Sequence, residues 1–134
     1  MPQPSDLNRN IQFSLPFNIK FQGLAMHDKP KESDWKHFKA LNEIVLQRLA
    51  QQALDSIQSI ATSEDRSPYD RYQEIVAETK DWDEKFRIGF GQFSRSRMLM
   101  QIGYLHSLQL VHDDEFAGFS SDVQTWVANF VGGE

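Results

Sequence analysis

Three arginines that lie close together in the sequence are the residues best suited to hold a ligand. Arg87, Arg95 and Arg97 flank the predicted start of a helix. A guanidinium group binds phosphate or carboxylate oxygens in pairs, and the free N–H groups at a helix N-terminus attract the same anions. The cluster therefore predicts a site for an anionic group. In the alternative, which we favour, the arginines form ion pairs with nearby acidic side chains. These are Asp81, Asp83 and Glu84.

Histidines and carboxylates near residue 110 form the best candidate for a metal site. His106 and His112 flank a predicted turn, and Asp113 and Asp114 follow it. No two of the four histidines have the i, i+4 spacing of metal ligands on one helix face. The acidic residues 113–115 are explained more simply as the first turn of a helix, where the helix dipole favours negative charge. We therefore predict no metal and no cofactor.

Nucleophilic and nucleotide-dependent catalysis have no support in the sequence. The chain contains no cysteine and no Gly-x-Ser-x-Gly motif. The segment Gly89-Phe90-Gly91 lacks the third glycine and the strand-to-helix context of a dinucleotide-binding turn. We therefore predict that the protein is not an enzyme.

Length, charge and composition narrow the class of protein. The chain has 134 residues, enough for one domain with its own hydrophobic core. Its formal net charge of −5 argues against nucleic-acid binding through bulk electrostatics. No apolar stretch is long enough to cross a bilayer, and residues 1–10 do not resemble a secretory signal. We expect a soluble cytoplasmic protein that binds neither membrane nor nucleic acid.

One long helix organises the chain. Between Ser33 and Thr62, apolar residues recur every three or four positions, which predicts an amphipathic α-helix. Ser33 is the predicted N-cap, and Asp34 lies in the first turn, where negative charge is favourable. The predicted apolar stripe consists of Trp35, Phe38, Leu41, Val45, Leu49, Ala53, Ile57 and Ile60, and it is widened by Leu46, Ala50, Leu54 and Ala61.

Two residues depart from this pattern. Asn42 projects into the apolar stripe, and Ile44 projects to the polar side. A polar side chain in such a stripe is either partly exposed or hydrogen-bonded to a partner. We favour a partly exposed Asn42 over one that fixes the register of a helix–helix interface.

Residues 11–21 form the most unusual segment. Apolar and polar residues alternate strictly there, which predicts an extended segment with one buried face. Pro16 has no N–H and so restricts this segment to an edge strand or an unpaired stretch. The segment could pair within the chain, lie as an arm over the helices or pair with another molecule, and the arm is favoured. The predicted partner-binding side chains are Ile11, Phe13, Leu15, Phe17, Ile19 and Phe21.

A second helix is predicted to begin at Pro68. Ser67 is a suitable N-cap, and proline is favoured in the first turn of a helix. Because the connection from the first helix is short, the two helices should run antiparallel. The second apolar stripe comprises Tyr69, Tyr72, Ile75, Val76 and Thr79.

Residues 85–93 fit either a helix or a strand. Trp82, Phe86, Phe90 and Phe93 keep helical spacing, but apolar residues also alternate with arginine and glycine between 86 and 91. Two glycines cost roughly 1 kcal/mol each inside a helix. Burial of three large rings contributes about 1.5–3 kcal/mol each. We therefore predict a helix, with the glycines marking a bend, a close helix crossing or the helix end.

Three more helices are predicted after this segment. The third helix should run from Ser94 to Leu110. A short helix opens with the acidic residues 113–115 and carries Phe116 and Phe119. The last helix begins with the polar residues 120–122 and ends at the glycines 132–133.

These elements predict a mainly α fold, an antiparallel bundle of three main helices with two short C-terminal helices and an extended N-terminal arm. We assign residues 1–10 to a disordered lead-in, 11–23 to the arm and 24–134 to a single helical-bundle domain. Ten phenylalanines in so small a chain suggest an apolar association surface. The expected function is that of a non-enzymatic interaction or regulatory protein that self-associates, with a homodimer as the expected form. The alternatives are a small-ligand module that binds an anion at the arginine cluster and an accessory subunit of an enzyme complex.

Overall fold

The computed structural model describes residues 30–132 of the chain. This part is mainly helical, contains five α-helices and has no β-strand. The predicted mainly α class and the five predicted helices are therefore confirmed for these residues. The predicted lead-in and arm, residues 1–23, lie outside the described residues. The helices are α1 (Glu32–Ala61), α2 (Pro68–Phe90), α3 (Met98–Ser107), α4 (Asp113–Phe116) and α5 (Ser121–Gly132), and a 3₁₀ turn occupies Arg95–Arg97.

Helix α1 buries the face that its residue spacing predicts. Seven of the eight predicted side chains are buried, and Ile57 is half-buried. The helix begins at Glu32 with Lys31 at the N-cap, so the prediction of Ser33 as cap is wrong. Leu54 and Ala61, which were expected to widen the buried stripe, are exposed. The buried surface of α1 is thus narrower than the apolar pattern near its C-terminal end.

Helix α2 starts as predicted and packs against α1. Ser67 Oγ accepts a hydrogen bond from the backbone N–H of Asp70 at 3.1 Å, which confirms the N-cap. Arg71 Nη1 donates to the carbonyl of Ala61 at 2.5 Å, close to the connection between the helices. Farther from that connection, Ser56 Oγ donates to Glu78 at 2.6 Å. Near the connection the paired residues are 10 positions apart, and farther from it they are 22 positions apart. The two helices therefore run in opposite directions.

The ambiguous segment 85–93 is helical as far as Phe90. Gly91 is the C-cap of α2, and its N–H donates to the carbonyl of Arg87 at 2.9 Å. Gly89 lies against α3, where an added Cβ would stand 2.8 Å from Leu105 Cδ2. One glycine therefore marks a close helix crossing and the other marks the helix end. Fully buried Gln101 of α3 fixes this junction, since its Nε2 donates to the carbonyl of Gly91 at 2.8 Å.

The third helix is shorter than its pattern predicts. Ser94 precedes the 3₁₀ turn, and the α-helix itself begins only at Met98 and ends at Ser107. The short helix α4 carries Phe116, whereas Phe119 follows the helix and is buried. Among the described residues, no helix has the length and apolar character needed to cross a membrane.

The hydrophobic core lies between the first half of α1 and the C-terminal helices. Gly103 permits a close approach of α3 to α5, because an added Cβ would stand 2.8 Å from the Phe130 ring. Trp126 and Phe130 of α5 stack with ring centroids 5.1 Å apart. The α1 members of the cluster are Trp35, Phe38, Leu41, Val45 and Leu49, and the later members include Met98, Ile102, Leu105, Leu110, Phe119, Val123 and Val127.

Candidate interaction surface

The second half of α1 and the first half of α2 form a separate structural region, which we call the distal hairpin (residues 50–61 and 68–80). The main hydrophobic cluster includes no residue of this hairpin. The hydrogen bonds Arg71–Ala61 and Ser56–Glu78 join its two helices to each other. Within this region the described chain therefore presents a two-helix layer rather than a core covered on both sides.

Large apolar side chains of the distal hairpin are exposed. Leu54 is 60% exposed, Tyr72 is 63% exposed and Val76 is 39% exposed. Tyr69, at the start of α2, is 67% exposed. Single exposed apolar side chains are ordinary, but several on one surface indicate a binding site. These side chains therefore indicate a binding site only if they share one surface.

Helix geometry places these side chains on one side of the hairpin. Successive residues rotate by about 100° around a helix axis. On α1, Leu54 and Ala61 are displaced by about 110–130° from the line of contact with α2. On α2, Tyr72 and Val76 are displaced by about 110–150° in the same rotational sense. Because the helices are antiparallel, equal displacements in the same sense point to the same side. We call this side the apolar face, and it comprises Ala50, Leu54, Ile57, Ala61, Tyr72, Ile75 and Val76.

The other side of the distal hairpin is polar. Gln52, Asp55 and Ser59 of α1 and Asp70 of α2 are displaced in the opposite sense, and all four are exposed. The hairpin is therefore amphipathic as a unit. Its apolar face does not result from a general lack of polar residues, because polar residues cover the reverse side.

Glu74 and Glu78 of α2 have partners in or next to the hairpin. Arg66, in the connection, forms an ion pair with Glu74. Glu78 accepts hydrogen bonds from Ser56 and from Trp82 Nε1, the latter at 3.3 Å. The hydrogen bond between Ser56 and Glu78 joins the two helices, whereas the contact of Trp82 lies within α2 and that of Arg66 joins the connection to α2.

The predicted anion-binding arginines have other partners. Arg95 Nη1 donates to Glu32 at 2.7 Å, and this hydrogen bond lowers the pKa of the Glu32 carboxyl. The Arg95 guanidinium also lies 5.3 Å from the centroid of the Trp35 ring. Arg87 Nη2 lies 3.9 Å from Glu84, one of the predicted pairs. The Nε atoms of Arg87 and Arg97 are buried and have no hydrogen-bond partner.

A second set of polar contacts, which no pattern in the sequence indicates, joins α1 to α4. Arg48 donates to both carboxylate oxygens of Glu115, at 2.6 and 2.7 Å. These hydrogen bonds lower the pKa of Glu115 to about 2. His37 Nε2 lies 2.6 Å from the carbonyl oxygen of Glu115 and must donate to it, because a carbonyl only accepts. The contacts hold α4 against α1.

Asp34 makes a similar contact at the start of α1. Its side chain is buried and accepts two hydrogen bonds of 2.7 Å from Ser120, one from the backbone N–H and one from Oγ. Asp34 was predicted to interact with the dipole of its own helix, but the hydrogen bonds that it accepts come from Ser120. Residues 34 and 120 are 86 positions apart, so no local sequence pattern could reveal the pair.

The histidines near residue 110 do not form a metal site with the acidic residues. Within residues 30–132, no group of three or more His, Asp or Glu side chains is arranged to hold a metal ion. His106 instead packs against Phe116, with ring centroids 4.4 Å apart. The backbone N–H of His112 donates to Glu115 at 2.8 Å, which is consistent with the predicted start of the short helix.

Asn42 borders a small apolar cavity beneath α1. The volume in which the centre of a water molecule fits is only ≈ 10 Å³. Asn42 is half-buried, and its Nδ2 has no hydrogen-bond partner. The cavity offers no site for an organic ligand. Its other lining residues are Phe38, Leu41, Val45, Ile102, Leu105, Val111 and Phe119.

Comparison of the chain with protein-family models, curated protein sequences and solved structures gave no match. The functional inference therefore depends on the surfaces and contacts described above. Of these surfaces, the apolar face is the best candidate for binding, because several large apolar side chains are exposed on it and the other side of the hairpin is polar.

Proposed function

We propose that the protein is a non-enzymatic interaction protein that binds another protein through the apolar face of the distal hairpin. One observation carries the proposal. Leu54, Tyr72 and Val76 are exposed and lie on the same side of a hairpin whose other side is polar.

Physical chemistry supports a protein partner for this face. Exposed apolar surface gains free energy when a partner removes it from water, at about 25 cal/mol per Å². Tyrosine is enriched at protein interfaces, where its ring is buried and its hydroxyl keeps a hydrogen bond. The face is formed by two packed helices, so a partner helix could lie in the groove between them.

The proposal is tested by recovering the protein with its bound partners from its native cell. We define a face variant, Leu54→Gln/Tyr72→Gln/Val76→Gln, because glutamine favours helix while removing apolar surface. The control is Ile44→Gln, which removes an exposed apolar side chain of α1 outside the hairpin. We expect a protein that co-purifies with the natural chain and with the control and is lost from the face variant. Equal recovery with all three chains would refute this role for the face.

Binding of an anion near Arg87, Arg95 and Arg97 is the second candidate. The buried Nε atoms of Arg87 and Arg97 without hydrogen-bond partners favour it. The ion pair between Arg95 and Glu32 opposes it, because an anion would have to displace a carboxylate. Thermal shift with phosphate-bearing metabolites tests this candidate, since a ligand bound only by the native state raises the Tm. An equal rise in an Arg95→Ala/Arg97→Ala variant would exclude the site.

The remaining parts of the proposal concern assembly and location. The same co-purification would identify an enzyme complex if the protein is an accessory subunit. We propose that the three longer helices act as an antiparallel bundle and that the protein works in the cytoplasm, as expected for a chain without cysteine.

A further inference from the structure

We propose that the partner of the apolar face is a second copy of this chain, so that two distal hairpins pack face to face as four helices. The inference rests on the proposed function and adds the identity of the partner. Two steps support it, the charge of the face and the architecture of the hairpin.

The first step concerns charge. A symmetric dimer places a surface patch against the same patch of its partner, so a patch whose charges are mainly of one sign is repelled by its own copy. Residues 50–61 of α1 contain one charged residue, Asp55, although 25% of the whole chain is charged. Asp55 lies on the polar side and accepts a hydrogen bond from Gln51 at 2.8 Å. The α1 part of the face can therefore meet its own copy without electrostatic repulsion.

The α2 part of the face satisfies the same condition. Its members are Tyr72, Ile75 and Val76, none of which is charged. The nearby charges of Glu74 and Glu78 are directed to Arg66 and Ser56 inside the hairpin. A basic or acidic partner would find no complementary charge on this face, whereas an identical uncharged face fits it.

The second step concerns architecture. A two-helix hairpin leaves one apolar side of each helix uncovered, and two such hairpins can cover each other as a four-helix bundle. The face extends about 18 Å along α1 and about 20 Å across two helices. Its area is therefore of the order of 400 Å² per protomer, or about 800 Å² in total, which is below the roughly 1,000 Å² of stable interfaces and within the range of weak, transient ones. We expect a weak, reversible dimer for an interface of this size.

Sedimentation velocity on the full chain tests the inference, over about 1–200 μM protein, so that a weak dimer can be resolved from its monomer. We expect the natural chain and Ile44→Gln to shift from monomer to dimer with rising concentration. The face variant should weaken dimerisation at least about tenfold. Circular dichroism checks that the variant keeps its helices. We expect it to do so because all three substituted side chains are exposed.

Cross-linking locates the interface independently. The chain has no cysteine, so a single introduced cysteine is the only thiol. With a short bismaleimide, Val76→Cys should give a covalent dimer, and Ile44→Cys should remain monomeric.

The possible outcomes separate this inference from the proposed function. A monomer at every concentration, or a dimer that the face variant does not weaken, would overturn the second copy as partner. If the face variant still loses a different protein in the native cell, the proposed function stands and only this inference fails. If neither association depends on the face, both fail.

Discussion

Leu49 and Leu54 lie on the same helix, five residues apart, and have opposite environments. Leu49 is fully buried in the core, whereas Leu54 is 60% exposed on the distal hairpin. Both belong to the apolar pattern of α1, so the pattern alone does not decide burial. The difference follows from the neighbours, because the first half of α1 is covered by the C-terminal helices and the second half packs with α2.

The contacts that stabilise the two halves also differ in range. Arg48 and Glu115, in the first half, are 67 residues apart, and Asp34 and Ser120 are 86 apart. In the distal hairpin, Arg71 and Ala61 are only 10 residues apart. A region with few buried side chains and local hydrogen bonds opens more readily than a core. The distal hairpin is thus the less stable half and carries the exposed apolar surface.

The sharpest test of this difference replaces each leucine by alanine. Leu49→Ala should lower the free energy of unfolding by about 2–5 kcal/mol, because it removes a fully buried side chain and leaves a cavity. Leu54→Ala should change it by less than about 0.5 kcal/mol. Urea unfolding followed by tryptophan fluorescence, at low protein concentration to exclude any dimer, measures both. Similar losses in the two variants would contradict the division of α1 into two environments.

The pH dependence of stability tests the long-range contacts of the first half. The pKa of Glu115 is lowered from 4.5 to about 2 by hydrogen bonds from Arg48, so the ionised form stabilises the fold. This stability is fully present above about pH 4.5 and is lost as the pH falls through about 2. Each pKa unit corresponds to about 1.4 kcal/mol, so the contribution is at most about 3 kcal/mol.

Glu115→Gln should remove this part of the pH dependence. The difference in unfolding free energy between the natural chain and the variant should be largest near neutral pH and shrink towards pH 2. Glu43→Gln is the control, since Glu43 is exposed and, within the described residues, only accepts a hydrogen bond from Gln47 on its own helix. A difference that stays constant with pH would show that Glu115 does not stabilise the fold through its charge.

The local contacts of the distal hairpin are tested at its helix cap. Ser67→Ala removes the hydrogen bond to the N–H of Asp70 and should cost about 1 kcal/mol. Hydrogen exchange should increase first in the opening turns of α2. Ser94→Ala is the matched control, because Ser94 occupies an N-cap without a capping hydrogen bond. An equal loss of unfolding free energy in Ser67→Ala and Ser94→Ala would mean that the capping hydrogen bond of Ser67 does not stabilise α2.

The smallest expected effect is a gain in stability at Asn42. Its Nδ2 is buried without a partner beside an apolar cavity, so the amide loses its hydrogen bonds to water on folding. Asn42→Leu should therefore raise the free energy of unfolding by about 0.5–1 kcal/mol. Gln47→Leu, at an exposed position of the same helix, should give no comparable gain. Destabilisation by Asn42→Leu would indicate that the amide has a partner in solution.

Some features of the fold were predictable because they depend on neighbours in sequence. The buried stripe of α1, the cap at Ser67 and the glycines at 89 and 91 follow from spacing and residue type. Helix propensity and capping act within a few residues, so a single sequence contains them. The arm at residues 11–21 lies outside the described residues and stays a prediction.

The candidate site was only half predictable. Tyr72 and Val76 belong to the apolar stripe that the sequence predicted for α2, but both are exposed, and the stripe was not assigned to a surface. Of the predicted arginine cluster, Arg87 pairs with Glu84 and Arg95 pairs with Glu32. The Nε atoms of Arg87 and Arg97 have no hydrogen-bond partner. The anion site at these arginines remains a prediction.

The sequence by itself determined where the helices form and which of their sides are apolar, because periodicity and capping are local properties. Only the tertiary structure decided which apolar sides are covered. The C-terminal helices meet the first half of α1 through pairs such as Asp34 and Ser120, far apart in the chain. Within residues 30–132, no second layer covers the distal hairpin. The exposure of Leu54 and Tyr72 follows from that placement, since burial depends on which helices lie nearby in space.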